Sequence, residues 1–187
     1  MAKYILASAS PRRKQLLQWA EVDFEIIVQA TDETFPPQLL PAEAAVHIAA
    51  QKAAAVQQLT QTQKTIIAAD TIVVLANQVI GKPTDREHAI QILTSLSGQQ
   101  HTVITGVVIQ NERDGIHFWD ATEVLFHPLT KSQIEFYVDK YGPYDKAGAY
   151  AIQEWIGVLG IKEIKGDFYN VMGLLVSRVV QALENFP

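Results

Sequence analysis

One apolar run limits the fold of this chain more than any other feature. The segment from Thr65 to Leu75 is rich in β-branched side chains and carries a single carboxylate, Asp70, at its middle. Its length and composition predict a central β-strand. Burying an unpaired carboxylate costs several kcal/mol. The chain must therefore fold so that a cation or hydrogen-bond donors meet Asp70.

The segments around this run predict strands that alternate with helices. Helices are predicted at residues 11–19, 41–59, 85–97, 130–139 and 168–185, and strands at 4–7, 24–28, 65–75, 79–80, 101–110, 116–126 and 158–164. Hairpin turns at Asn77-Gln78 and Asp114-Gly115 interrupt the alternation. The pattern predicts an α/β fold with one mixed sheet and helices packed on its faces. We expect residues 1–187 to form a single domain, which has room for two lobes.

Charge and cysteine content exclude several classes of function. The formal net charge of −5 argues against a non-specific nucleic-acid binder, whose surface is basic. Without cysteine, neither disulfides nor thiolate zinc sites form. The N-terminal apolar run is too short for a secretory signal, and the longest C-terminal run is too short to span a bilayer. We therefore predict a cytoplasmic protein that binds neither nucleic acid nor membrane.

A candidate anion site lies at the start of the first helix. The segment Ser8-Ala9-Ser10-Pro11-Arg12-Arg13 joins a strand to a helix, with Ser10 as the predicted N-cap and Pro11 as the first helical residue. Arginines in a first turn oppose the helix dipole, and a bound polyphosphate would compensate them. The alternative is a solvated helix start with two surface arginines.

A second candidate site pairs the central carboxylate with a lysine. The turn at residues 77–78 folds the chain back, which brings Lys82 of Gly81-Lys82-Pro83 towards the strand end near Asp70. A carboxylate beside a lysine and a metal ion stays ionised and is able to deprotonate a water molecule. The alternative is a buried structural pair of Asp70 and Lys82.

Four further residues are candidates on weaker grounds. Glu33 follows Asp32 in a polar loop and offers a hard oxygen ligand for Mg²⁺ or Mn²⁺, or else belongs to an ordinary acidic loop. Lys52 lies among alanines, where a ligand is able to approach, although a surface lysine is the simpler interpretation. Lys146 and Gln153 flank a glycine-broken stretch; an ammonium suits a phosphate, and an amide suits a pyrimidine edge.

Other catalytic classes lack their motifs in this sequence. The chain contains neither a P-loop nor a dinucleotide-binding fingerprint. The five histidines lack a paired metal-binding spacing, and we predict that they are structural or exposed. Ser8 and Ser10 lack the glycine-flanked setting of a serine hydrolase nucleophile.

Taken in order, these motifs resemble those of the Maf family of nucleotide pyrophosphatases. The further segments that carry the resemblance are Ala69-Asp70-Thr71, Thr105-Gly106-Val107, Asp145-Lys146-Ala147-Gly148-Ala149-Tyr150 and Tyr169-Asn170-Val171. The match spans nearly the whole chain, and its specificity lies in the ordered set. The chain departs from the family at Leu175, where proline is usual, and at Glu154-Trp155, where small residues are common.

The resemblance implies a fold and a reaction. The implied fold is Maf/ITPase-like, with two lobes around a long twisted mixed sheet and helices on both faces. The implied reaction is hydrolysis of a nucleoside triphosphate between the α and β phosphates, with a divalent cation, Mg²⁺ or Mn²⁺. The Asp-Lys-Ala-Gly-Ala-Tyr stretch resembles the branch that acts on dTTP and UTP in a house-cleaning role. A homodimer is also implied.

The resemblance also implies roles for individual residues. Asp70 matches the general base, Glu33 matches an acidic residue linked to the metal or the water, and both are implied metal ligands. The implied phosphate-binding positions are Ser8, Arg12, Arg13, Lys52 and Lys82. Arg12, Thr71 and Gln153 match positions that set substrate choice, and Lys146 is a further substrate-binding candidate.

Two other functions remain compatible with the sequence. The family name records an effect on septum formation, so one alternative is a regulatory binding protein with vestigial catalysis. The second alternative is a phosphatase that acts on nucleoside monophosphates. Release of pyrophosphate rather than phosphate separates the two hydrolytic reactions.

Overall fold

Up to residue 141, the elements follow the chain in the order that the sequence predicts. The structure is a computed structural model that describes residues 3–187. The strands are β1 (Tyr4–Leu6), β2 (Phe24–Ile26), β3 (Thr65–Leu75), β4 (Gln78–Ile80), β5 (Gln100–Gln110), β6 (Gly115–Phe126) and β7 (Ile161–Lys165). The helices are α1 (Pro11–Trp19), α2 (Pro41–Thr60), α3 (Arg86–Leu96), α4 (Lys131–Tyr141), α5 (Trp155–Gly160), α6 (Phe168–Met172) and α7 (Val176–Asn185). None of these helices combines the length and the apolar character that a membrane crossing requires.

Within residues 3–187, seven strands form one mixed sheet. The order is β2-β1-β3-β5-β6-β7, and β4 pairs with β3 off this path. Strand β1 is parallel to β2 and β3, whereas the β3–β4 and β6–β7 pairs are antiparallel. Strand β3 lies inside the sheet, and its residues 66–70 are buried. The predicted α/β class and the central position of the strand that carries Asp70 are therefore confirmed.

The chain divides into two compact units. The first unit comprises the described residues up to Thr71 together with Thr105–Asp120 and Gly173–Pro187. The second unit comprises Ile72–Ile104 and Ala121–Met172. Strands β3, β5 and β6 each continue from one unit into the other along the chain.

Helix α2 packs its small side chains onto one face of the sheet in the first unit. Ala49 and Ala53 of α2 belong to one buried cluster with Ile66 and Ala68 of β3. Alternate residues of a strand point to the same face, so Asp70 continues the face of these two residues. The same surface that forms the apolar core therefore presents the carboxylate towards α2.

A glycine on β5 allows α2 to approach the sheet closely. A Cβ atom at Gly106 would lie 2.4 Å from the backbone nitrogen of Val46 and 2.6 Å from the backbone carbon of Ala45. Backbone atoms of a helix have no rotamer to give way, so a side chain here would displace the helix. The spacing between α2 and the sheet thus depends on this residue.

We expect Gly106→Ala to lower the free energy of unfolding by about 1–3 kcal/mol or more, because the added methyl overpacks the contact between β5 and α2. Urea unfolding measures the change. Gly115→Ala is the matched control, since a Cβ there meets only the Gln110 Cβ at 3.7 Å, an ordinary contact. Equal unfolding free energies for the two variants would contradict the prediction.

Two segments near the C-terminus differ from the prediction. Residues 158–164 were expected to form a strand, but Trp155–Gly160 is helical and β7 begins at Ile161. A Cβ at Gly157 would lie 1.8 Å from the carbonyl oxygen of Ile152, so glycine permits this tight entry into α5. The single helix expected at 168–185 is two helices, because Gly173 adopts φ +116°, which ends α6.

Two turns also shift by about one residue. The β3–β4 turn consists of Ala76 and Asn77, with φ values of +48° and +66°, rather than Asn77-Gln78. Positive φ at both central residues is the geometry of a tight hairpin turn. The turn before β6 precedes Gly115, which is already in the strand. Both hairpins are nevertheless present where the sequence predicts them.

His101 belongs to the aromatic core of the second unit. Its Nε2 lies 2.7 Å from the hydroxyl of Tyr150, and its ring packs edge-on against Phe126 with centroids 5.2 Å apart. Burial lowers the pKa of His101 to about 4, so the ring is neutral near pH 7. The predicted structural role is confirmed for this histidine.

Candidate active site

The predicted site residues divide between the two units. Those in the first unit are Ser8, Arg12, Arg13, Glu33, Lys52, Asp70 and Thr71. Those in the second unit are Lys82, Lys146 and Gln153. In each unit, segments that are distant in sequence bring several of these residues together.

Two carboxylates of the first unit meet at one lysine. Nζ of Lys52 lies 2.6 Å from Oδ1 of Asp70 and 2.8 Å from Oε1 of Glu33. The side chains of Lys52 and Asp70 are 15% and 12% exposed, whereas that of Glu33 is 42% exposed. Water and salt therefore screen the Lys52–Asp70 contact less than a surface ion pair. We call these three residues the carboxylate–lysine cluster.

The described partner of Asp70 is Lys52, which sequence reasoning underrated. The interpretation of Lys52 as a surface lysine is wrong, because its side chain is largely buried and bonded to two carboxylates. The helical period of α2 held the missed signal. Lys52 follows Ala49 by three residues and precedes Val56 by four, which places it on the buried stripe.

Arg13 uses its guanidinium to join three segments of the first unit. The residue is 8% exposed. Its Nε donates to the carbonyl oxygen of Gly173 at 2.7 Å, Nη1 donates to Oγ of Ser8 at 3.1 Å, and Nη2 donates to Oγ1 of Thr71 at 3.0 Å. The hydroxyl of Thr71 also lies 2.9 Å from that of Thr105. These bonds fix the loop after β1, the middle of β3 and the segment after α6.

The start of α1 has the predicted Ser10 cap, but its two arginines are not both surface residues. The Ser10 side chain accepts a hydrogen bond from the backbone N–H of Arg13 at 3.4 Å, and Pro11 is the first helical residue. A solvated start with two surface arginines is excluded, since Arg13 is buried and Arg12 is partly buried. Contact of these arginines with a phosphate stays a prediction.

Charges within the first unit act on one another. Burial lowers the pKa of Arg13, the negative charges of Asp70 and Glu33 oppose this shift, and the positive charge of Arg12 adds to it. Arginine remains protonated at neutral pH because its ordinary pKa is so high. Two carboxylates and at least three cations therefore share one small region.

In the second unit, two predicted motifs are neighbours. The backbone N–H of Gly148 donates to the carbonyl oxygen of Gly81 at 3.2 Å, which joins the Asp145–Tyr150 stretch to the Gly81-Lys82-Pro83 turn. Gly148 has φ +70°, and a Cβ there would lie 3.0 Å from a methyl of Val73. A glycine is therefore needed where the two loops meet.

The three site candidates of the second unit differ in exposure. Lys146 is buried, with its Nζ 2.8 Å from Oδ1 of Asp145 and 3.6 Å from Oε1 of Glu154. Glu154 also accepts a hydrogen bond from the hydroxyl of Tyr137. Lys82 and Gln153 are exposed, in the loop after β4 and in the turn before α5. The two exposed side chains are accessible to a ligand, whereas Lys146 already neutralises carboxylates.

The ligands for a divalent cation are limited in number. Across residues 3–187, no three His, Asp or Glu side chains are grouped to hold a metal ion. Mg²⁺ commonly takes only one or two protein carboxylates and completes its coordination with water and substrate phosphates. Glu33 and Asp70, which already converge on one ammonium, fit that kind of site.

Comparison with known proteins identifies the family of this chain. The fold and the carboxylate–lysine cluster define an α/β protein with an acidic, cation-lined site. The model of the Maf-like protein family matches residues 3–186, and the chain belongs to this family. The ordered motifs of the sequence predicted this membership.

Named relatives align along nearly the whole chain. The dTTP/UTP pyrophosphatase of Cytophaga hutchinsonii is 48% identical over 96% of this chain and 82% of its own length. The dTTP/UTP pyrophosphatase of Parabacteroides distasonis is 44% identical over 98% of this chain and 96% of its own length. Among solved structures, the Staphylococcus aureus Ham1 protein is 15% identical with a TM-score of 0.48, over 66% of this chain and 71% of that one.

We expect Arg13→Lys to destabilise the protein by about 2–3 kcal/mol, although the charge is kept. One ammonium does not reach the acceptors on Gly173, Ser8 and Thr71 together, and unsatisfied buried acceptors cost about 1–3 kcal/mol. Arg113→Lys, in an exposed turn, is the matched control. The role of the guanidinium as a junction is refuted if thermal and urea unfolding do not separate the two variants.

Proposed function

We propose that this chain is a nucleoside triphosphate pyrophosphatase that hydrolyses dTTP and UTP to the monophosphate and pyrophosphate. The observation that carries the proposal is the carboxylate–lysine cluster, in which Asp70 and Glu33 meet Lys52 near the buried Arg13. Family membership and full-length relatives of this name support the enzyme class. The name of these relatives, dTTP/UTP pyrophosphatase, also supports the substrate pair.

Asp70 is the proposed general base. A carboxylate that takes a proton from an attacking water must be held still and must have its charge compensated. Strand β3 fixes the backbone of Asp70 inside the sheet, and the ammonium of Lys52 compensates its charge in a largely buried position. The fold thus holds a charged base where an isolated carboxylate would be costly.

The proposed phosphate contacts begin at the N-terminus of α1. Arg12 supplies a cation in the first turn of α1, where the helix dipole also favours an anion. Arg13 holds the Ser8 and Thr71 hydroxyls, so these side chains are oriented before a nucleotide arrives. Preorganised donors lower the barrier for charge that develops on phosphate oxygens.

The proposed cofactor is a divalent cation, Mg²⁺ or Mn²⁺, with Glu33 and Asp70 as its protein ligands. When bound, such an ion supplies positive charge to the phosphate oxygens. Glu33 lies in the exposed loop after β2 and Asp70 in the buried part of β3, so the two proposed ligands differ in exposure. In the second unit, Lys82 and Lys146 are proposed phosphate contacts.

Gln153 is the proposed contact for the pyrimidine base. Its amide both donates and accepts, as a pyrimidine edge requires, and its side chain is exposed. Arg12 and Thr71 are the other proposed determinants of substrate choice. The homodimer, the cytoplasmic location and the house-cleaning role also stay predictions.

The first test is a panel of triphosphates with Mg²⁺ or Mn²⁺, scored for pyrophosphate and monophosphate. We expect dTTP and UTP to be the best substrates and EDTA to abolish turnover.

Asp70→Asn should fold normally and lower kcat by about 10²–10⁴-fold, the usual contribution of a general base. Asp114→Asn, in an exposed turn, is the control with the same chemical change. Wild-type turnover of Asp70→Asn at saturating metal would exclude Asp70 as the base, and release of phosphate alone would indicate a phosphatase.

The second test concerns Gln153. We expect Gln153→Ala to reduce the preference for dTTP and UTP over purine triphosphates, because the amide that reads the base is lost. The metal concentration at half-maximal rate should change little, since Gln153 is not a proposed ligand. The kcat/KM values for four nucleotides measure the preference. An unaltered nucleotide profile would remove Gln153 from the proposed base contact.

A further inference from the structure

Lys52 occupies the space between the two carboxylates that a divalent cation needs as ligands. Its Nζ is within hydrogen-bond distance of both Oδ1 of Asp70 and Oε1 of Glu33. A divalent cation that binds these oxygens meets the ammonium as a like charge a few ångströms away, in a partly buried setting where repulsion is weakly screened. The lysine and the metal ion are therefore alternative partners of the same carboxylates.

We propose that Lys52 is a positioning residue that competes with the divalent cation for Asp70 and Glu33 until a phosphate group draws its ammonium away. This inference rests on the proposed function, because it assigns the phosphate to a nucleoside triphosphate. In the nucleotide-free protein Lys52 neutralises the carboxylates and keeps metal affinity low. When the nucleotide binds, Lys52 turns to a phosphate and releases the carboxylates to the metal.

Arg13 and Lys52 differ in a way that assigns this movement to Lys52. Arg13 donates to three acceptors on separate segments, so moving its guanidinium breaks three hydrogen bonds. Lys52 bonds only to carboxylates among its described partners, and its ammonium lies at the end of a flexible four-carbon stem. Rotation about side-chain torsions is enough to transfer its ammonium from a carboxylate to a nearby phosphate.

The exchange links the binding of metal and nucleotide. Whatever draws Lys52 away from the carboxylates favours the metal, and the metal in turn favours the state in which Lys52 is available to the nucleotide. Thermodynamic linkage requires that each ligand raise the affinity of the other by the same factor. The affinity for metal in the absence of nucleotide would thus be low because Lys52 competes for the carboxylates, and not because ligands are lacking.

The test measures Mn²⁺ binding to the full chain without nucleotide, from the EPR signal of free Mn²⁺. Lys52→Met removes the competing charge and keeps a side chain of similar length. We expect this variant to bind Mn²⁺ about tenfold more tightly or better, which corresponds to about 1.4 kcal/mol of relieved repulsion. Adding Asp70→Asn to Lys52→Met should abolish the gain, since it removes a proposed ligand.

Lys64→Met is the matched control, because it removes the same charge from the same unit. Nζ of Lys64 lies 2.5 Å from Oε1 of Glu25, in an ion pair outside the carboxylate–lysine cluster. Its Mn²⁺ affinity should equal that of the wild type. If circular dichroism shows that Lys52→Met is unfolded, Lys52→Gln takes its place, since it also removes the charge and keeps a polar end.

A gain in Mn²⁺ affinity confined to the Lys52 variant supports the exchange. The inference is overturned by equal or weaker binding in that variant, by the same gain in Lys64→Met, or by the lack of Mn²⁺ binding in both Lys52→Met and Lys52→Gln. Pyrophosphate release from dTTP by the wild type is measured separately. Normal release without the affinity gain refutes only the inference, whereas absence of release refutes the proposed function.

Discussion

The candidate site of the first unit depends on the contact between a carboxylate inside the sheet and a lysine of the helix packed against it. Asp70 lies in an interior strand, where an uncompensated charge would oppose folding. The elements around Asp70 must therefore pack closely enough to bring a cation to it. The alanines of α2 let the helix lie close to the sheet, and Gly106 removes the last obstacle on β5. Small residues in these elements thus bring the ammonium of Lys52 within 2.6 Å of the carboxylate.

Neighbouring residues of β3 serve two different layers of the structure. Because side chains alternate along a strand, Asp70 and Thr71 point to opposite faces. Helix α2 supplies Lys52 to the first face, and helix α1 supplies Arg13 to the hydroxyl on the second. The lysine is a point charge on a flexible stem, whereas the guanidinium is a planar fork with three protein acceptors. Arg13 is thus held in place by its three acceptors, whereas Lys52 is the cation that we propose exchanges partners.

Local patterns predicted much of this, and long-range contacts explain the rest. Strand β3 and the Ser10 cap of α1 were predicted correctly, because hydrophobic period and capping chemistry operate over a few residues. The acceptors of Arg13 on Thr71 and Gly173 lie 58 and 160 residues away, and no local pattern indicates them. The helix α5 was mistaken for a strand for another reason, because a short apolar run does not by itself distinguish a helix from a strand. The ordered motifs were enough to predict the family, whereas the partner of Asp70 was identified only from the structure.

The balance of charges explains how a chain with a formal net charge of −5 is suited to a polyanion. In the first unit, Asp70 and Glu33 offset much of the positive charge of Lys52, Arg12 and Arg13. The small positive charge that is left is a poor match for the several negative charges of a nucleoside triphosphate. A nucleotide that arrives with a divalent cation brings much of its own compensation and supplies the charge that Lys52 gives up. The proposed metal dependence then follows from this balance of charges, because neither the nucleotide nor the cation alone suits a region in which cations and carboxylates already offset one another.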